Sequence, residues 1–323
     1  MDPTVIAQRQ TQIIQVASPV AIIGQVSDQL KSQDTMQFDS VDSLLNSYEK
    51  SSLDRSELTL PKPNDVAYCI FTSGSTGVPK GICVEHCNAV AMYCNQSGFY
   101  YEAGDVSLPT ASVQFDMGLL EGLGALCNAA TVVAADVSSV TDTSQFSELL
   151  KEYKVTKLIL VATVFHLHAR EQPSCFERVS QVAVGGDVVI MPIVDSVHDA
   201  CPNCYVLPGW GPSETTRAST YVDIRLYKGL DIAPIGVPVD GEEILLVDRQ
   251  GNEVATGLPG EMIVSGSGVA RGYLDRKPRG FTMRGSIRVY NTGDIAVWRD
   301  ELLFFLSRGG DQQVKIRGNR VEL

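Results

Sequence analysis

Apolar positions recur at helical spacing from about Val5 to Val16 and then condense into the run Pro19–Ile23, which predicts a helix followed by a buried strand. From about Ser27 to Pro63 the chain is rich in Ser, Asp, Gln and Lys, so this stretch reads as surface loops with one short helix near Val41–Tyr48. Between Val66 and Tyr205, short β-branched runs (VAYCIFT, TVVAAD, KLILVA, RVSQVAV, CYVLP) alternate with segments long enough for helices, such as Asn88–Ser97 and Phe115–Asn128. That alternation predicts βα units on a mostly parallel sheet. Beyond about Leu230 the rhythm changes to short strands separated by glycine turns: EEILLVDRQGNEV, GEMIVSG, IRVYNTGD, IAVWRD and ELLFFL. These predict an antiparallel sheet with a hairpin turn at Arg249–Asn252.

Composition narrows the partners. A chain of 323 residues, 44% hydrophobic and 20% charged, can bury a sizeable core in more than one folding unit. Its net charge of −12 argues against nucleic acid or an anionic membrane as the main partner, because both need basic surface. The start, MDPTVIAQRQ, lacks the basic-then-apolar order of a signal peptide, and no apolar run approaches the length of a membrane span. A cytoplasmic location is the default expectation. Eight cysteines scattered through so long a chain favour reduced thiols, and Cys201-Pro-Asn-Cys204 has no second pair at zinc-site spacing, so it reads as ordinary loop or core thiols.

The densest chemistry lies in Phe71-Thr72-Ser73-Gly74-Ser75-Thr76-Gly77-Val78-Pro79-Lys80-Gly81, which follows the apolar run Val66–Ile70. Glycines let backbone N–H groups approach an anion, hydroxyls add donors, and lysine adds a compact positive charge. The GxxxxGK[ST] spacing of a Walker A loop is absent.

TSGSTGVPKG resembles the signature loop of the adenylate-forming superfamily, which contains acyl-CoA synthetases, luciferases and peptide-synthetase adenylation domains. Further motifs follow in the family's order. Phe115-Asp116 resembles its FDxS box, and Gly209-Trp210-Gly211-Pro212-Ser213-Glu214-Thr215 its xYGPTET motif. Gly260–Leu274 with GSGVARGYL, Tyr290-Asn291-Thr292-Gly293-Asp294, and Gln313–Gly318 complete the series. The chain is similar to adenylation domains of fungal-type nonribosomal peptide synthetases. The resemblance implies an α/β fold, the large N-terminal subdomain of the adenylate-forming architecture, with parallel βα sheets followed by a smaller antiparallel β part. The expected divisions are 1–230 for the αβ core, 231–307 for the β-rich part, and 308–323 for a hinge and the start of a small C-terminal subdomain.

The implied chemistry is attack of an amino-acid carboxylate on the α-phosphorus of ATP, giving an aminoacyl-adenylate and pyrophosphate. By resemblance, Thr72, Ser73, Gly74, Ser75, Thr76, Gly77 and Lys80 hold pyrophosphate, Ser213 bonds the α-phosphate and Glu214 binds Mg²⁺. Lys80, Ser213 and Glu214 are the implied catalytic set. Gly209 and Trp210 flank the adenine, the indole standing where the family has tyrosine, unless the tryptophan is simply buried as core, while Asp294 and Arg308 serve the ribose. Asp116 pairs with the substrate ammonium; read from its position alone, it could instead cap the helix starting near Met117. Met117, Leu120, Thr163, Ala183, Gly185, Gly209, Arg217 and Ala218 line the side-chain pocket. Arg217 invites an acidic or extended polar substrate, or turns out to solvent. A peptidyl carrier protein is the expected partner.

The chain also departs from the family. Met1-Asp2-Pro3 matches the tail of an upstream motif, and the sequence stops before the C-terminal lysine of the family, so both ends of the domain are expected to be missing. Ser307-Arg308-Gly309-Gly310-Asp311 has one glycine more than the family's GRxD, which unsettles the roles of Arg308 and Asp311. Two other readings stay open: a truncated or degenerate relative that binds nucleotide without turnover, and an acyl-CoA or aryl-acid ligase, against which Asp116 and the ending QVKIRGNRVEL speak.

Overall fold

In the computed structural model the described residues are 7–23, 36–38, 40–47, 59–72, 78–94, 97–135, 140–309, 313–316 and 319–322. The centre is a seven-stranded sheet ordered Val237–Pro238, Thr220–Tyr221, Tyr205–Trp210, Gln181–Gly185, Lys157–Val161, Val106–Ser107, Thr131–Val132. Its last five strands run parallel, and Thr220–Tyr221 and Val237–Pro238 add an antiparallel margin.

The interiors of the longer parallel strands are apolar because both faces are covered. Leu158, Leu160, Val182, Val184 and Val206 point into a first core closed by the helices Thr143–Glu152, Ala162–Glu171 and Met191–Ala200. The alternate residues Ile159, Ala183 and Leu207 face a second core containing Phe99, Tyr101, Leu120 and Tyr221. The helix Thr143–Glu152 shows how the sequence builds such a cover. Thr143, Phe146, Ser147 and Leu150 are buried at helical spacing, and Asp142 caps the start by accepting from the Gln145 N–H at 3.0 Å. Cys201 and Cys204 lie buried in the first core.

Two expectations need correcting. VAYCIFT is not a strand of the parallel sheet: Val66–Thr72 pairs antiparallel with Lys80–Glu85, and Gly272–Tyr273 completes a separate three-stranded sheet. An apolar run of this length reports burial on two sides, not the direction of its partner. IRVYNTGD and IAVWRD are likewise one continuous strand, Ile287–Arg299, which joins Glu242–Val247, Gly260–Gly266, Phe281–Arg284 and Leu302–Arg308 in a five-stranded antiparallel sheet. The glycine that suggested a break, Gly293, sits inside this strand with φ +74°. A third core, including Ile82, Val84, Trp210, Met262, Tyr273 and Leu303, joins these two sheets.

The turn expected at Arg249–Asn252 is present, with Asp248 N–H bonded to the Asn252 carbonyl at 2.8 Å. Ala7–Ala17 is helical, and Ala21–Ile23 forms a parallel pair with Met36–Phe38, although only Ile22 of the former is buried. Among the described residues, no helix is long and apolar enough to cross a membrane.

Candidate functional site

Antiparallel pairing of Val66–Thr72 with Lys80–Glu85 sets Thr72 directly opposite Lys80. Two of the expected phosphate ligands therefore stand on either side of the loop's mouth, while Ser73, Gly74, Ser75, Thr76 and Gly77 lie outside the described residues.

Next to this hairpin the chain turns sharply through Gly211–Ser219. A side chain on Gly211 would place its Cβ 2.5 Å from the Arg217 carbonyl oxygen, and Thr216 adopts φ +72°, a conformation that L-residues adopt only when held. Thr216 is held by its hydroxyl, which donates to the Gly268 carbonyl at 2.6 Å. The same fold buries Glu214, whose Oε1 accepts from the Tyr273 hydroxyl at 2.5 Å. Ser213 and the charge of Glu214 both stand close enough to act on the carboxyl of Asp116. Burial is the largest influence on Asp116 and pushes its carboxyl above the usual range. Repulsion from Glu214 adds to this, while bonds from Ser213 and the Met117 N–H oppose it.

Asp116 does not cap its helix by reaching forward. Phe115 is the N-cap residue, and the Asp116 Oδ1 accepts from the adjacent Met117 N–H at 2.8 Å. The helix continues through a π-turn, Leu120–Gly124, into Ala125–Cys127. Gly118, where the FDxS pattern has serine, packs against the preceding loop so closely that a Cβ would lie 2.3 Å from the Ser112 carbonyl oxygen.

The pocket residues gather on one face of the parallel sheet. Leu120 and Ala183 belong to the second core, with Met117 and Ala218 packed against it. Gly185 and Gly209 are small by necessity: a Cβ on Gly185 would stand 3.0 Å from the Gly209 carbonyl oxygen, and one on Gly209 2.6 Å from the Tyr221 ring. Thr163 does not join this cluster; it is exposed at the head of Ala162–Glu171 and lines a separate surface hollow with His166 and Arg170. Arg217 is buried, not turned to solvent. Its guanidinium donates to the carbonyls of Phe99 at 3.1 Å and Ser97 at 3.4 Å and lies over the Tyr221 ring, so an acidic substrate would meet a cation already engaged.

On the other side of the Ser213–Glu214 turn, the Trp210 indole sits in the third core and its Nε1–H donates to Asp294 Oδ2 at 3.0 Å. Arg308 lies directly across the sheet from Asp294, with Nε 3.3 Å from Oδ1. The extra glycine falls after Arg308, and Gly309 N–H bonds the Gly293 carbonyl at 2.7 Å, so the Arg308–Asp294 register is intact; Asp311 lies outside the described residues. Thr292 receives the Asp294 N–H at 3.0 Å and donates to the Met262 carbonyl at 2.8 Å, which fixes the carboxylate's direction.

Sequence reasoning passed over several residues of this site. Tyr273 and Glu121 each lie within or just beyond a quoted motif, but only the structure shows what they touch. Tyr68 and Tyr93, whose hydroxyls meet at 2.5 Å, and Tyr221 all feel the charge of Asp116, and nothing in their local sequence marks them.

Comparison with known proteins agrees with this arrangement. The AMP-binding enzyme family model matches residues 1–274. Surfactin synthase subunit 2 of Bacillus subtilis (strain 168) is 36% identical over 274 residues, covering 82% of this chain and 8% of the relative. Bacitracin synthase 1 of Bacillus licheniformis is 32% identical over 303 residues, covering 87% and 6%. The chain thus spans less than a tenth of the length of these relatives; both are bacterial, and the fungal character expected from the sequence draws no support from them. Among solved structures, PA1221, described as an NRPS protein containing adenylation and PCP domains, superposes with a TM-score of 0.84 at 25% identity, covering 100% of this chain and 66% of that one. With its family model matched across most of its length, the chain belongs to the AMP-binding enzyme family.

Proposed function

We propose that this chain is the nucleotide- and amino-acid-binding core of a nonribosomal peptide synthetase adenylation domain, activating an amino acid as its aminoacyl-adenylate for transfer to the phosphopantetheine arm of a peptidyl carrier protein. The observation that carries the reading is Asp116, a half-buried carboxylate on the helix that sets Met117 and Leu120 against an apolar pocket, within reach of Ser213 and of Glu214's charge. A substrate ammonium would give that carboxylate its counter-charge, and an acid without the amine would leave it unpaired. The named relatives, which include peptide synthases, and the solved adenylation protein support the same class.

In this reading one carboxylate oxygen of the amino acid forms a bond to the α-phosphorus of ATP while the bond to the β-phosphate oxygen breaks and pyrophosphate leaves. Thr72 and Lys80, with the loop between them, hold the leaving group. Ser213 turns from Asp116 toward the α-phosphate. Gly209 and Trp210 flank the adenine, and Asp294, held by Trp210 and Arg308, retains lone pairs for the ribose hydroxyls.

Glu214 suits Mg²⁺ by its chemistry: it is a hard oxygen donor next to a second carboxylate, and among the described residues no larger ligand cluster competes. The ion would neutralise phosphate charge when bound. The division of the chain at about 230 and 307 and a cytoplasmic location belong to the same proposal.

The test is amino-acid-dependent exchange of labelled pyrophosphate into ATP, run across all common amino acids with the wild-type chain and Asp116→Ala. Exchange that depends on one amino acid and is lost in the variant is expected. Exchange driven equally by des-amino acids would overturn the substrate class.

A further inference from the structure

The hairpin that frames the phosphate loop carries two cysteines face to face. Cys69 pairs with Cys83 across the strands, three residues inside the Thr72–Lys80 pair, with both thiols reduced and their sulfurs 3.4 Å apart. Backbone geometry makes this a bridgeable position. The Cys83 carbonyl accepts from the Arg271 N–H at 3.0 Å, so its backbone polar groups point toward Gly272–Tyr273 and away from Cys69. Toward Val66–Thr72 it therefore forms a non-hydrogen-bonded pair, whose Cα atoms lie about 4.5 Å apart in antiparallel sheets, within the roughly 4.4–6.8 Å that a disulfide spans. Closing the sulfurs to about 2.05 Å needs side-chain rotation and no strand displacement.

The chemistry of the pair is also biased toward reaction. Cys69 and Cys83 hydrogen-bond each other, and the positive charge of Arg271 favours the thiolate form of both. Cys83, receiving the hydrogen bond of its neighbour, is lowered to about 7, while Cys69 is pushed up by the hydrogen bond it shares with Cys83, by burial and by the charge of Cys83. Arg271 is kept in place by Glu85, with its Nε at 2.9 Å from Oε1. Cys83 is buried and Cys69 half-buried, so Cys69 is the side from which a reagent arrives.

We propose that Cys69 and Cys83 constitute a dithiol–disulfide site, closed by a low-molecular-weight disulfide such as oxidised glutathione, and that closure acts on the phosphate loop at the end of the same hairpin. The hydrogen-bonded pair gives up one proton, the remaining proton passes to Cys83, and the Cys69 thiolate so formed attacks one sulfur of glutathione disulfide; a protein–glutathione bond forms and one glutathione thiolate leaves. The remaining cysteine gives up its proton and attacks the protein sulfur of that mixed disulfide, releasing the second glutathione. The two protein thiols lose two electrons and two protons, and the glutathione disulfide gains them. A disulfide here locks the two strands that set Thr72 against Lys80. Only this last consequence rests on the nucleotide reading.

The experiment incubates the full chain in glutathione redox buffers, alkylates remaining thiols and maps them by mass spectrometry, with ATP affinity measured in the reduced and oxidised forms. A Cys69–Cys83 cross-link forming ahead of pairs among the other six cysteines, reversed by dithiothreitol and accompanied by a several-fold change in ATP affinity, is expected; Cys69→Ser should abolish both effects. Oxidation that leaves Cys69 and Cys83 separately alkylated, or stops at a glutathione adduct, would overturn the site. A cross-link with unchanged ATP affinity would overturn the coupling to the loop, whereas a chain that binds no ATP in either form would count against the nucleotide reading and leave the mapped cross-link to decide the site.

Discussion

Glu121 offers the sharpest physical test of how the buried turn that follows Asp116 is held. It is fully buried in the π-turn that follows Asp116. Its Oε1 accepts from the Thr110 N–H at 2.9 Å and lies 2.9 Å from the Thr110 hydroxyl, while Oε2 accepts from the Ala111 N–H at 3.0 Å. The Thr110 hydroxyl is also 3.0 Å from the Ile159 carbonyl, so a neutral Glu121 can donate to Thr110 while Thr110 donates to Ile159. Burial accordingly outweighs the N–H bonds and raises the carboxyl from 4.5 to about 8.

The sign follows from linkage. The native chain binds a proton that the unfolded chain has released, so this group makes stability fall as pH rises from 4.5 to about 8. At about 1.36 kcal/mol per pH unit, the fall is on the order of 5 kcal/mol at most. Glu121→Gln cannot ionise and leaves one buried N–H facing an amide N–H, a loss of about 1–3 kcal/mol. Urea unfolding from about pH 4 to 9 should therefore show the variant less stable in acid, the two curves crossing near about pH 5–7, and the variant more stable above. A constant offset at every pH would refute the protonated, clamped Glu121.

Three further outcomes are expected. Because Asp116 is raised above 3.8 by burial and must be ionised to hold an ammonium, kcat/KM for the amino acid should fall as pH drops through that raised value; Asp116→Asn should remove this limb and lose about 3 kcal/mol or more of substrate discrimination, read from exchange kinetics. Trp210→Phe keeps a ring but deletes the donor to Asp294, so urea unfolding should show a loss of about 1.5–3 kcal/mol, with weaker ATP binding by calorimetry. Gly293→Ala forces a side chain into φ +74°, which destabilises by about 1–2 kcal/mol and should lower ATP affinity through Asp294, leaving amino-acid selectivity unchanged.

The chemistry of the site was legible in the sequence to the extent that it lies in contiguous motifs. The loop from Thr72 to Lys80 stands out by its own glycines, hydroxyls and lysine, which suit an anion for backbone reasons, whereas Ser213, Glu214 and Asp294 are picked out only by the resemblance of their motifs. Four of the five parallel strands were legible as short apolar runs; the fifth, Val106–Ser107, is two residues long and leaves no such run. Strand direction was not: Val66–Thr72 has the same apolar character as Lys157–Val161, and only its pairing with Lys80–Glu85 shows it to be antiparallel. Nor could the sequence show what Arg217 touches, since its carbonyl partners lie 118 and 120 residues away. The Trp210–Asp294 bond, spanning 84 residues, was hidden for the same reason.

The central claim, recognition of an amino acid by Asp116 beside bound nucleotide, is tested most directly by calorimetry with stable aminoacyl-adenylate analogues, each compared with its des-amino counterpart. The account predicts that one aminoacyl analogue binds tightly, that removing its amine weakens binding at least about tenfold, or about 1.4 kcal/mol, and that Asp116→Asn erases the difference. Equal affinity of the amino and des-amino forms for the wild-type chain would contradict it.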